Sequence, residues 1–64
     1  MKASDFSVGD MVKRTIGNTV IIGKVTEVDL ERNWVYITVS EVSGNTSYEV
    51  GEEACFFANK LEKV

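Results

Sequence analysis

The chain has 64 residues with ten acidic and seven basic side chains, one cysteine, and neither histidine nor proline. A chain of this length forms one domain, residues 1–64, and its single cysteine excludes an internal disulfide framework. Without histidine, acid–base catalysis would fall to carboxylates, and a cysteine nucleophile would lack an imidazole base. We therefore expect no enzyme, no catalytic residue, no cofactor and no metal site.

The compartment follows from apolar content and cysteine use. No apolar run approaches the roughly 20 residues that are needed to cross a bilayer, and Lys2 is not followed by the apolar stretch of a signal peptide. A lone cysteine fits a reducing compartment. The sequence predicts a cytoplasmic protein without membrane contact, which is a monomer or a weak homo-oligomer.

The first half of the chain shows two strand patterns. The first predicted strand covers residues 8–15, opened by a Gly-Asp turn signal and closed by Gly17-Asn18. The second runs over residues 19–28, and its apolar side chains change face near Gly23. A glycine at such a position predicts a bulge or a sharp bend. The polar residues 29–33 form the next turn.

The third predicted strand, residues 34–41, is dense in β-branched and aromatic side chains. A hairpin turn at residues 43–45 then places Tyr48 and Val50 of a fourth strand on the core face. The residues expected to be largely buried are Phe6, Val12, Val25, Val35, Ile37, Val39, Tyr48, Val50 and Leu61.

The C-terminal residues complete the predicted element order. Residues 52–59 suit a short helical or 3₁₀ turn with acids in its first turn, and residues 61–64 form the last strand. Cys55 directly precedes two phenylalanines, of which at least one must enter the core. That setting favours a buried, inert thiol over a redox role.

Five short strands with short connections predict an all-β, partly open barrel, because a flat sheet would leave its edges exposed. Three segments resemble parts of SH3-like barrels: residues 6–12 (FSVGDMV), 23–28 (GKVTEV) and 57–64 (FANKLEKV). That superfamily includes small bacterial and phage proteins and KOW-type modules. The resemblance implies a five-stranded antiparallel SH3-like barrel with a short 3₁₀ or helical turn before the last strand. It also implies a binding protein rather than an enzyme.

Strand parity singles out a candidate binding surface. If Val35 and Ile37 face the core, then Trp34, Tyr36 and Thr38 face the opposite side. Tryptophan and tyrosine dominate the hot spots of protein interfaces. The stripe is therefore a candidate protein-binding site, unless a loop or the last strand covers it and makes it a second, minor core.

Two function classes remain open. The first is a non-catalytic adaptor or accessory protein that docks through the aromatic strand face or a strand edge. Its carboxylates would steer it towards a basic protein partner, and the candidate residues are Glu27, Asp29 and Glu31.

The alternative is a nucleic-acid-associated barrel of the KOW or Tudor type, which would stack bases on the aromatic side chains and contact phosphates with basic ones. The candidate phosphate contacts are Lys13, Arg14 and Lys24. The net charge of −3 has the wrong sign for a protein whose affinity comes from neutralising phosphates. A protein partner is therefore favoured over nucleic acid.

Overall fold

The computed structural model describes all 64 residues and contains one open sheet of five antiparallel strands. The strands are β1 (Met11–Ile16), β2 (Thr19–Asp29), β3 (Trp34–Ser43), β4 (Glu53–Phe57) and β5 (Leu61–Lys63). Their order across the sheet is β4-β3-β2-β1-β5, and β4 and β5 do not pair with each other. The sheet is therefore barrel-like without being closed.

Two 3₁₀ turns, Ala3–Asp5 and Ala58–Lys60, are the only helical elements. The second lies directly before β5, so the predicted all-β order with a 3₁₀ turn ahead of the last strand is confirmed. The structure contains no helix that is long and apolar enough to cross a membrane.

The core lies on the inner side of the curled sheet and follows the period of two along each strand. Its buried members are Ala3, Phe6, Val12, Ile21, Val25, Val35, Ile37, Val39, Ala54, Ala58 and Leu61. Of the residues that were predicted to be buried, Tyr48 is only half-buried against this core, and Val50 is 67% exposed. The other predicted core residues are buried.

The fourth strand is not where the sequence pattern placed it. The predicted hairpin at residues 43–45 is absent, residues 44–52 form a connecting loop, and β4 occupies the segment expected to be a helical turn. Within the loop, the Tyr48 N–H donates to Thr46 Oγ1 and the Glu49 N–H donates to Glu52 Oε2. A strand could direct only one of these two successive N–H groups at β3, whereas the side chains satisfy both within the loop, and Val50 at the following turn stays exposed.

β2 bends in its middle, as the glycine predicted. The register against β3 shifts at Gly23 and shifts again just before Glu27. At Gly23 an added Cβ would lie 2.7 Å from the Thr38 carbonyl oxygen and 2.8 Å from Ile37 Cδ1. The two strand backbones therefore approach so closely that only glycine fits. The bend allows β2 to form part of both halves of the curled sheet.

Candidate protein-binding surface

Strand pairing aligns the outward side chains of β2, β3 and β4 into three rows across the sheet. The rows are Phe57, Trp34 and Asp29; Cys55, Tyr36 and Glu27; and Glu53, Thr38 and Lys24. We call the surface made by these rows the outer face. Its side chains point away from the core because they alternate with the buried residues of the same strands.

Three aromatic rings form the centre of the outer face, and we call them the aromatic cluster: Trp34, Tyr36 and Phe57. The ring centroids of Trp34 and Tyr36 are 6.5 Å apart at an interplanar angle of 79°, and those of Trp34 and Phe57 are 6.3 Å apart at 64°. Both pairs have the edge-to-face geometry that aromatic rings prefer. The cluster is thus held in place by its own contacts.

The aromatic cluster remains accessible to solvent. Trp34 and Tyr36 are half-buried and Phe57 is 55% exposed. β5, one of the segments that could have covered this surface, lies beside β1 at the far edge of the sheet. Phe57 was missed by the sequence analysis because its outward direction depends on β4 being a strand.

An arginine and a carboxylate lie against one end of the cluster. Arg32 donates to Asp29 through its backbone N–H at 3.0 Å and through Nη1 at 3.2 Å. The Arg32 guanidinium also lies 5.6 Å from the centroid of the Trp34 ring, within the range of a cation–π contact. The hydrogen bond from the Arg32 backbone is the largest cause that lowers the pKa of Asp29. The negative charge of Asp29 is therefore already engaged within the chain.

The other predicted acids occupy different positions. Glu27 is exposed on the outer face beside Tyr36, whereas Glu31 is exposed in the turn between β2 and β3, outside the three rows. Glu53, which the sequence analysis did not single out, extends the outer face beyond Thr38. None of the three glutamates forms a salt bridge, so their charges are free to act on a partner.

Cys55 is exposed, so the expectation of a buried thiol is wrong. Its neighbours Ala54 and Phe56 take the inward positions of β4, and strand alternation sends the thiol outward. Desolvation raises the pKa of Cys55 and the charge of Asp29 adds to this, while hydrogen bonding with Tyr36 acts in the opposite direction. The pKa of Tyr36 is also raised, chiefly by desolvation. A raised pKa keeps the thiol protonated and weakly nucleophilic at neutral pH.

Of the three basic residues proposed for phosphate contact, Arg14 lies apart from the two lysines. Lys13 pairs with Glu62, with 3.8 Å between Nζ and Oε2, and Lys24 is exposed on the outer face. Arg14 shares the inner side of β1 with Val12, and its guanidinium lies 5.7 Å from the Phe56 ring centroid. Lys13 and Lys24 therefore lie on the same outward side of the paired strands β1 and β2, and only Arg14 is separated from them, because neighbouring positions along a strand point to opposite sides of the sheet.

The aspartate, glutamate and cysteine side chains form no group of three that could hold a metal ion. Comparison of the chain with protein-family models, with curated proteins and with solved structures found no match. Function is therefore inferred from what the outer face can contact.

Proposed function

We propose that this chain is a non-catalytic adaptor or accessory domain of the SH3-like type, which binds a basic protein partner through its outer face. The five antiparallel strands and the 3₁₀ turn before β5 agree with the architecture that the resemblance implies. The observation that carries the proposal is the aromatic cluster, an accessible group of three rings on the outward side of a sheet.

The aromatic cluster suits protein binding for an energetic reason. Large aromatic side chains contribute much contact area, and they lose little conformational entropy on binding because each has only two side-chain torsions. Here the edge-to-face contacts and the strand backbones already restrict the rings before a partner arrives. Preorganisation of this kind lowers the cost of ordering side chains at an interface.

Charge around the cluster supports a basic partner. Glu27, Glu31 and Glu53 have no salt bridge, and Lys24 is the only basic residue in the three rows. The whole chain carries a formal net charge of −3. Complementary charge of this sign accelerates association with a basic protein and disfavours acidic ones. Raised salt should therefore slow the association more than it speeds the dissociation.

The proposal is tested with ligands selected on the protein from a random peptide library. For a selected ligand, Trp34→Ala should weaken binding by about 2 kcal/mol or more, a factor of about 30. The matched control is Ile16→Ala, an exposed apolar residue where β1 meets the turn to β2, at the opposite end of β2 from Trp34. It should leave the affinity unchanged.

Stability is measured on the same two variants. Trp34→Ala loses two edge-to-face pairs, each worth about 0.5 to 1.5 kcal/mol beyond the area that the ring buries, so the free energy of unfolding should fall by at least about 1 to 3 kcal/mol. A fall in stability combined with an unchanged affinity would show that the cluster is only a minor core. That result would contradict the proposal.

Nucleic acid is the competing partner in this test. A labelled single-stranded oligonucleotide should show no binding that depends on salt, because Arg14 lies on the opposite side of the sheet from Lys13 and Lys24 and the net charge of the chain is −3. Binding that weakens steeply with salt and is lost in Lys13→Gln or Lys24→Gln would favour the alternative function.

A further inference from the structure

The two edges of the sheet differ in how they are protected. β5 carries Glu62 and Lys63, which form salt bridges back to Lys13 and Asp10 with N···O distances of 3.8 and 3.6 Å. Charged residues on an edge strand discourage pairing with another chain. β4 contains Glu53 as its only charged residue and has neither lysine nor proline. It is therefore the less protected edge.

β4 is also positioned to accept a further strand. It pairs with β3 on one side only, so every second residue directs its N–H and C=O groups away from the sheet. A strand added at this edge would lie beside Phe57, Cys55 and Glu53, and it would extend the outer face by one more position in each row.

We propose that an extended segment of the basic partner adds to β4 as a sixth strand, with cationic side chains at two positions four residues apart. This inference rests on the proposed function of the outer face and adds to it the binding mode and the sequence pattern of the ligand. Main-chain hydrogen bonds to an edge strand supply affinity in such complexes, and alternate side chains supply specificity.

The first cationic position is set by Glu53. In the added strand, residues i, i+2 and i+4 face outward opposite Phe57, Cys55 and Glu53. Opposite charges at directly facing positions stabilise a strand pair, and the Glu53 carboxylate has no salt-bridge partner in the chain. The residue at i+4 is therefore a lysine or an arginine.

The second cationic position is set by Phe57, at the end of the row that contains Trp34 and Asp29. At the other end of that row, the guanidinium of Arg32 already lies over the Trp34 ring. Phe57 is 55% exposed and has no such contact. An arginine at position i of the added strand would make the equivalent contact with Phe57, while a small β-branched residue suits the position opposite Cys55.

A second copy of the chain is a poorer occupant of this edge. Antiparallel pairing of two β4 strands centred on Cys55 would place Glu53 opposite Phe57 of the other copy, and neither edge would supply a cation. It would also bring together two chains that each carry a net charge of −3. Charge complementarity therefore favours a basic segment from a different protein.

The probe is the capped peptide acetyl-Thr-Arg-Thr-Val-Thr-Arg-Thr-amide, which reads the same in both directions. Its binding to ¹⁵N-labelled protein is followed by amide chemical shifts and by hydrogen exchange. We expect changes in the chemical shifts of the β4 amides. We also expect slower hydrogen exchange of the N–H groups that β4 directs away from β3. A peptide of the same composition with adjacent arginines should bind more weakly, because neighbouring residues cannot both face the outer side.

Two perturbations separate strand addition from general attraction. N-methylation of the two peptide amides that face β4 should weaken binding about tenfold or more, because it removes main-chain hydrogen bonds and leaves the charges intact. Glu53→Gln should weaken it about two- to fivefold. Glu62→Gln removes the same charge from the opposite edge and should leave the affinity unchanged.

Three results would overturn the inference. If the N-methylated peptide binds equally well but Trp34→Ala abolishes binding, strand addition is wrong, while the proposed function of the outer face stands. If the free protein is a dimer in which the β4 amides that point away from β3 are already protected from hydrogen exchange, the occupant is a second copy. If the peptide does not bind, the proposed pattern of two cationic residues four positions apart is wrong. The proposed function of the outer face is then tested separately by the ligands selected from the peptide library.

Discussion

The close approach of the β2 and β3 backbones makes Gly23→Ala a demanding test of the fold. The added methyl group would lie 2.7 Å from the Thr38 carbonyl oxygen and 2.8 Å from Ile37 Cδ1. The carbonyl belongs to a residue that is paired on both sides in the sheet, so it cannot move away without disturbing that pairing. The bend of β2 should therefore be strained by a single methyl group.

The magnitude follows from two opposing effects. Overpacking of this kind costs about 1 to 3 kcal/mol, and replacing glycine by alanine returns about 0.4 to 1 kcal/mol by restricting the unfolded chain. With the middle value of each range, the net loss should be about 1.3 kcal/mol. A core in a domain of this size rarely supplies more than about 3 to 5 kcal/mol, so the variant would lose a large share of its stability.

Urea unfolding followed by Trp34 fluorescence measures this loss. The double variant with Ile37→Val removes one of the two close contacts and leaves the contact with the Thr38 carbonyl. Since Ile37→Val alone costs about 0.5 to 1.5 kcal/mol, the double variant should be less destabilised than the sum of the single variants without regaining wild-type stability. An unchanged midpoint for Gly23→Ala would refute the close approach of β2 and β3.

Three further predictions concern the loop, the thiol and the acid response. Val50→Ala should change the unfolding free energy by less than about 0.5 kcal/mol, whereas Ile37→Ala should cost about 2 to 5 kcal/mol; similar losses would mean that the loop is packed. Because Tyr36 lowers the raised pKa of Cys55, Tyr36→Phe should move the pH profile of Cys55 alkylation by iodoacetamide to still higher pH, and a shift to lower pH would contradict this. Asp29 has a pKa below its ordinary 3.8, so its stabilisation is present above that pH and is lost as the pH falls through the folded-state pKa. Asp29→Asn should therefore reduce the dependence of the unfolding free energy on pH below about pH 4. The same pH dependence in the variant and the wild type would disprove that Asp29 causes this loss of stability.

The strands that the sequence predicted well are those with a strong local pattern. β2 and β3 are long, and their alternation of apolar and polar residues fixes which side faces the core. The same alternation identified the outward direction of Trp34, Tyr36 and Thr38, and the position of Gly23 indicated the bulge. These features depend on near neighbours in the sequence, so they could be inferred without a structure.

β4 could not be predicted in this way. Tyr48 and Val50 carry the stronger local strand signal, yet their segment is a loop in which the Tyr48 and Glu49 N–H groups donate to the side chains of Thr46 and Glu52. Glu53–Phe57 becomes a strand through its pairing with β3, which is a tertiary effect. Phe57 was therefore missed as a member of the candidate site.

The error with Arg14 had a different origin, and the sequence itself could have prevented it. Lys13 and Arg14 are adjacent in one strand, so they must lie on opposite sides of the sheet. Val12 was already expected in the core, and Arg14 shares its parity. The structure places the Arg14 guanidinium against Phe56 on that inner side, with an Nε atom that is buried without a hydrogen-bond partner.

If the outer face is the binding surface, a bound ligand should perturb its backbone amides more than those of any other part of the domain. The measurement is the change in ¹⁵N amide chemical shifts of the whole domain on addition of a library-selected ligand. The largest changes should cluster at Trp34, Tyr36 and along β4. Changes centred on β5, or on the inner side of β1 around Arg14, would contradict this expectation.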